Sequence, residues 1–322
     1  GVVNKYFRNF LIFAVVFTSV VSFLVVVNKK QPPKKIIPFA PVEIKLPEVI
    51  VKEVKKVNPT ITNVVPTTEL TYEEVNSWLD EWYKAAPDIT EVGIVGKHNQ
   101  YDIKYIRIGN KKGPKVLITA AIHGNEKLST MTMMGVVGKL LDAYMDDGRI
   151  TTLFEERDIY FVPIVSPEGY VSNRRHTMGL DPNRNWTEQN LVEKESIPCV
   201  QAMKDFHKKH NFKAVMSCHN HARLFFYPWG YTRKSNELEK EYRSLLSEMT
   251  KNSGYTFVQL YGKSAPPYYG YEVDWYHNHG AFSLVNEIGR SFRAGREEVA
   301  KEVKDNYEST IIFIEKAPLV RK

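Results

Sequence analysis

The chain has 322 residues, 43% hydrophobic and 25% charged, an ordinary globular composition that excludes collagen-like, disulfide-framework and wholly disordered classes. Its formal charge of +7 is local: residues 1–66 carry ten Lys and Arg against three Asp and Glu, leaving 34 of each sign in the remainder. A formally neutral globular part argues against nucleic-acid binding. The two cysteines, Cys199 and Cys218, lie outside any C-x-x-C metal or redox spacing.

Residues 10–27, FLIFAVVFTSVVSFLVVV, are uncharged and flanked by Lys5, Arg8, Lys29 and Lys30. At about 1.5 Å per residue the run covers roughly 27 Å, enough for a short membrane span. Val25, Val26, Val27 and Asn28 offer no small-x-small cleavage site, so an uncleaved anchor over residues 1–30 is expected rather than a signal peptide. Lys29, Lys30, Lys34 and Lys35 outnumber Lys5 and Arg8, which biases the C-terminal side toward the cytoplasm. Residues 31–66 are rich in Pro, Lys, Val and Glu and read as a semi-extended spacer.

Residues 67–322 alternate between two periodicities. Helices are expected near Tyr72–Ala85, Leu128–Tyr144, Val200–Lys209 and Leu238–Lys251, with a terminal helix from about Glu297. Strands are expected near Tyr105–Ile108, Lys115–Ala121, Ile159–Val162, Ala214–Ser217 and Phe282–Glu287. Such alternation implies an α/β domain with a mixed, largely parallel twisted sheet flanked by helices, whose functional groups gather at the carboxyl ends of strands.

Familiar motifs fail first. Gly262-Lys263-Ser264 resembles a phosphate-loop end, but Phe257 stands where the opening glycine belongs, and no G-x-S-x-G or H-E-x-x-H occurs. Cys218 and His219 are strand neighbours pointing to opposite faces, so they do not pair as nucleophile and base. The Asn185-Trp186-Thr187 sequon is expected to be inaccessible. The informative cluster starts at His123-Gly124-Asn125-Glu126, a strand-end loop before a long helix. A second strand, Ala214–Cys218, delivers His219 at its end, and two imidazoles with one carboxylate make a zinc set that leaves a coordination position open. Phe282–Glu287 is an apolar strand ending in a lone carboxylate suited to acid/base work. The turn Leu180-Asp181-Pro182-Asn183-Arg184-Asn185-Trp186 packs amides and an arginine fit for a bidentate grip on a carboxylate, with Arg174 and Arg175 upstream. Taken singly, each reads as a solvated charge or a structural ion pair.

Together, HGNE, Ser166-Pro167-Glu168-Gly169, RHTMGLDPNRNW, SCHNHARLFFYPWG, Asp274-Trp275 and LVNEIG resemble, in order, the zinc metallocarboxypeptidases related to carboxypeptidase A, over roughly residues 70–315. The resemblance implies a carboxypeptidase A-like fold for residues 67–322, with one zinc held by His123, Glu126 and His219 and with Glu287 as general base and later acid. It implies that Asp181 orients His123, that Asn183 and Arg184 bind the substrate's terminal carboxylate, and that Arg175, rather than Arg174, polarises the scissile carbonyl. The family's substrate-capping tyrosine falls on Pro266, so Tyr268 or Tyr269 is the candidate for that role. Asn125 stands where the family carries a basic residue. Val273 stands where members specific for basic residues carry an acid, which disfavours a basic preference despite the neighbouring Glu272. The expected substrate is a peptide or a murein stem peptide, and the domain is expected to be membrane-anchored and extracytoplasmic, against the lysine bias. A small-molecule deacylase and a catalytically lapsed carboxylate-binding module are the competing readings.

Overall fold

The computed structural model describes residues 69–187, 196–261, 268–292 and 295–319. The expected anchor at 1–30 and spacer at 31–66 lie outside these residues, as does Pro266. No described helix is long and apolar enough to cross a membrane.

Helix α1, Tyr72–Ala85, begins with a capping box. The Thr71 hydroxyl accepts from the Glu74 N–H at 3.2 Å and the Glu74 carboxylate accepts from the Thr71 N–H at 2.7 Å, satisfying two donors the helix cannot. Its buried face is Val75, Leu79 and Trp82, one helical turn apart. Strands β1 (Thr90–His98) and β2 (Tyr101–Gly109) form an antiparallel hairpin. Strand β3, Lys115–Ala120, leads through the HGNE loop into α2, Lys127–Ala143. Helix α3, Gly148–Glu156, is capped by the Asp147 carboxylate, and β4 follows at Asp158–Val162. The rest comprises α4 (Pro167–Ser172), a 3-10 turn (Pro182–Arg184), α5 (Pro198–His210), β5 (Ala214–His219), β6 (Leu224–Tyr227), α6 (Glu239–Thr250), β7 (Thr256–Gln259), α7 (Glu272–Asn278), β8 (Phe282–Glu287) and α8 (Arg296–Lys316).

The eight described strands form one mixed sheet in the order β1-β2-β4-β3-β5-β8-β6-β7. Its centre, β4-β3-β5-β8, is parallel, while the β1-β2, β2-β4 and β8-β6 pairings are antiparallel. Strand residues alternate between two cores, as a period of two requires. Val116, Ile118, Ala214, Met216 and Cys218 face the core built with α1, α2, α3, α6 and α8. Leu117 and Val215 face the core built with α5 and α7. Cys218 and His219 therefore point to opposite sides, and burial pushes the Cys218 thiol up.

All ten expected elements are present with ends shifted by a few residues. Strand β1, the short strands β6 and β7, and helices α3, α4 and α7 are additional. Strand β1 is hidden in the sequence by Gly93 and Gly96 and by a register shift between Ile94 and Gly96. Gly93 serves a purpose, because a Cβ there would lie 2.5 Å from the Tyr105 hydroxyl that crosses it.

Candidate active site

Three parallel strands end side by side, and each delivers one part of the site. The chain leaves β3, and His123 and Glu126 follow within six residues of Ala120. Gly124 makes the turn possible, since a Cβ there would fall 1.9 Å from the Gly169 carbonyl carbon and 2.1 Å from the Tyr170 nitrogen. The HGNE and SPEG segments thus press backbone to backbone. Glu126 occupies the cap position of α2 without a side-chain cap bond, leaving its carboxylate free to face the histidines.

His123 Nδ1 lies 2.8 Å from one Glu126 carboxylate oxygen and His219 Nδ1 lies 3.0 Å from the other. All three residues are at most 2% exposed, and their ligand atoms lie within 4.8 Å of one another. The outer nitrogens are also engaged: Asp181 stands 2.9 Å from His123 Nε2, and Glu272 stands 2.7 Å from His219 Nε2. An imidazole donating its Nε2–H to a carboxylate presents a lone pair at Nδ1. Two such lone pairs and a carboxylate have no proton to share, so this donor set fits a cation, and its N/O composition suits zinc. Without a cation, the carboxylates draw protons instead. Burial opposes charge at His219 and His123, but Glu126 and the outer carboxylates outweigh it and raise both imidazoles. Burial likewise opposes ionisation of Glu126, and the two imidazoles overcome it and hold this carboxyl well below the usual range.

Glu287, the last residue of β8, is the register partner of His219 on β5. Burial lifts its carboxyl above the ordinary value; His219 pulls it down and Glu126 pushes it up. Arg175 reaches into the site, its Nη1 3.2 Å from Glu126 and its Nε and Nη2 3.2 and 3.1 Å from one Asp181 oxygen. Arg174 is exposed. Asn183 is buried: its N–H donates to Asp181 at 2.9 Å, and its side-chain oxygen accepts from the Glu272 N–H at 2.9 Å. Arg184 donates to the Asn183 carbonyl at 2.8 Å and lies 4.3 Å from the centroid of the Tyr271 ring and 5.9 Å from that of Tyr268. Tyr268 packs against a small apolar cluster of Phe226, Leu260, Tyr271, Val273 and Val285. Tyr269 is 62% exposed and stacks on Tyr231.

Every site residue expected from the sequence thus falls in one neighbourhood, with Tyr268 at its edge. Asn185 is buried, its amide oxygen accepting from the Ile197 N–H, so the sequon is inaccessible. Glu272 is the residue whose role sequence reasoning missed. In the sequence it shows only as the acid beside Val273 that tempers the non-basic preference, and nothing there signals that it reaches β5. Asp274, two residues on, accepts from the Gly230 N–H with both oxygens, at 2.9 and 3.0 Å.

A family profile described as zinc carboxypeptidase matches residues 75–308. Mouse carboxypeptidase A4 is 28% identical over 252 residues, covering 66% of this chain and 59% of that protein. Bovine carboxypeptidase A1 is 25% identical over 268 residues, covering 70% of this chain and 63% of that protein. The chain therefore spans about three fifths of the length of these relatives. Among solved structures, thrombin-activatable fibrinolysis inhibitor superposes with a TM-score of 0.70 at 20% identity, covering 80% of this chain and 78% of that one. Carboxypeptidase A from Helicoverpa armigera gives 0.67 at 17%, covering 77% and 73%.

Proposed function

The chain belongs to the zinc carboxypeptidase family, and from that premise we propose that it hydrolyses the C-terminal amide bond of a peptide, using zinc held by His123, Glu126 and His219. The observation that carries this reading is the convergence of two imidazole lone pairs and a buried carboxylate beside Glu287.

A zinc ion held by His123, Glu126 and His219 would supply Lewis-acid polarisation. The chain's own residues do the rest. Arg184, backed by the Tyr271 ring, and Asn183 hold the substrate's free carboxylate, so that only the last bond of a chain reaches Glu287. Glu287 takes the proton of the attacking water at its carboxylate oxygen and returns it to the leaving amine. Burial raises its pKa, which makes it a stronger base toward that water. Arg175 swings from Glu126 and Asp181 to the developing oxyanion, where a cation stabilises charge that appears only in the transition state. Tyr268 closes over the bound residue.

A non-basic C-terminal side chain is preferred. Val273 lies in an apolar cluster with Phe226, Leu260, Tyr271 and Val285, and the neighbouring Glu272 carboxylate is committed to His219. The apolar run at 10–27 anchors the enzyme, a reading supported by its length, and residues 31–66 tether a catalytic domain that its peptide substrate places outside the cytoplasm, against the lysine bias of the flanks.

The test is product mass spectrometry, with zinc and with chelator, on linear L-peptides and on a murein stem peptide. Chelator-sensitive loss of single C-terminal residues from L-peptides is expected. Cleavage of the stem peptide alone would move the assignment to wall remodelling, and zinc binding without cleavage of either would move it to a deacylase or a carboxylate-binding module.

A further inference from the structure

We propose that Glu272 is the positioning residue of the second metal-ligating imidazole, His219, and that it couples that imidazole to Asn183, the group that grips the substrate's carboxylate. The inference rests on the zinc carboxypeptidase reading. Glu272 is the first residue of α7 and is 1% exposed. A carboxylate taken so far from water is costly unless a donor meets it. The donor here is His219 Nε2, at 2.7 Å. Accepting that proton fixes the tautomer and the ring plane, so the Nδ1 lone pair points at the centre it shares with Glu126.

The arrangement mirrors Asp181 on His123, with one difference. The Asp181 side chain is 17% exposed and that of Glu272 only 2%, so the Glu272 bond sits in the drier surroundings and is electrostatically stronger. The two orienting carboxylates are also joined through Asn183. Its N–H donates to Asp181, and its side-chain oxygen accepts from the Glu272 N–H. Both imidazoles and the substrate-binding amide therefore belong to one chain of hydrogen bonds, and α7 is the element that closes it.

The test is the zinc dissociation constant of the full chain, measured by competition with a chromophoric chelator, alongside kcat and KM on one peptide and the thermal midpoint of the metal-free chain. Glu272→Leu keeps a similar volume and removes the acceptor; it is expected to weaken zinc about 10- to 100-fold. Glu272→Gln keeps a neutral acceptor, a weaker partner than a carboxylate, and is expected to lose about three- to tenfold. Zinc binding by Glu272→Leu within about twofold of the parent overturns the proposal even if the metal-free midpoint shifts, because a purely structural carboxylate gives that result. If Glu272→Leu does not fold, Glu272→Gln decides, and a parent-like zinc constant overturns the proposal. A parent that binds zinc and cleaves no peptide sinks the carboxypeptidase reading while the zinc constants still judge Glu272. A parent that binds no zinc sinks both.

Discussion

His219 and Glu287 are register partners on the adjacent parallel strands β5 and β8, so the sheet's own ladder holds an imidazole of the candidate metal set beside the Glu287 carboxylate. The Ile288 N–H donates to the His219 carbonyl at 2.8 Å and ties the two strand ends together. Since Glu287 stands outside the three-residue donor set, the two roles separate by mutation. Glu287→Gln is expected to retain one zinc per chain and to lose kcat by about 10²- to 10⁴-fold, the usual share of general acid/base catalysis. Metal analysis with initial rates checks this; near-normal turnover would remove Glu287 from the mechanism.

Removing the metal tests the donor set itself. Chelation is expected to abolish turnover and lower the thermal midpoint, because zinc at 1,000 times its dissociation constant stabilises the folded chain by about 4 kcal/mol. His219→Ala is expected to lose both zinc and activity. Calorimetry of loaded and stripped protein is the measurement, and an unchanged midpoint would show that the centre is preformed without binding a cation.

The Arg184 guanidinium lies over the Tyr271 ring, 4.3 Å from its centroid, and its planar fork can grip a carboxylate with two hydrogen bonds where an ammonium cannot. Arg184→Lys keeps the charge and loses the fork. It is expected to lower kcat/KM by about 10- to 100-fold, largely through KM, as charge-assisted hydrogen bonds are worth about 1.5–3 kcal/mol. The check is a pair of substrates: the parent's preference for a free C-terminal acid over its amide should shrink in the variant.

Gly124 and Gly148 make opposite predictions. A Cβ on Gly124 meets backbone atoms of Gly169 and Tyr170 at 1.9 and 2.1 Å, and backbone cannot step aside cheaply. Gly124→Ala is expected to cost about 3 kcal/mol or more and to weaken zinc binding by displacing His123 and Glu126. A Cβ on Gly148, in the first turn of α3, meets nothing within 4 Å, so Gly148→Ala should be neutral or stabilising by up to about 1 kcal/mol. Denaturant midpoints of both variants check the contrast.

Two buried groups give stability opposite dependences on pH. Burial among Trp275, Tyr276 and Phe212 lowers His207 to about 4. The folded chain then binds fewer protons than the unfolded one between pH 4 and 6.5, and about 3 kcal/mol is lost as pH falls through that window. Burial raises Asp274 to about 7 against the pull of the Gly230 and Tyr231 N–H groups. The folded chain binds more protons here, so about 4 kcal/mol present at low pH is lost as pH rises from 3.8 to 7. The two slopes oppose each other and flatten the parent's profile. Asp274→Asn is expected to expose the histidine, making stability climb more steeply between pH 4 and 6.5 and raising it above the parent's at pH 7.5. Denaturant unfolding at three pH values decides; an unchanged slope would show that Asp274 is ionised when folded.

Local periodicity made much of the fold legible. The one-turn spacing of Val75, Leu79 and Trp82 identifies α1, and the apolar runs of β3, β5 and β8 mark strands buried on both faces. The short strands β6 and β7 at the end of the sheet were not legible, because four residues carry too little pattern. The site followed the same division. His123, Glu126, His219 and Glu287 could be read because each follows an apolar strand, and the end of a parallel strand is set by its own sequence. The resemblance already favoured Arg175 over Arg174, but the contact of Arg175 with Glu126 needed the path of the loop to Asp181. The Glu272–His219 bond needed more still: residues 53 positions apart meet only because α7 packs behind β5 and β8, and a contact made by packing leaves no periodic trace in either segment. By itself, then, the sequence determined which side chains could hold a metal and move a proton; the tertiary structure decided which carboxylate fixes each imidazole, because only the folded sheet and the helix behind it set the distances between them.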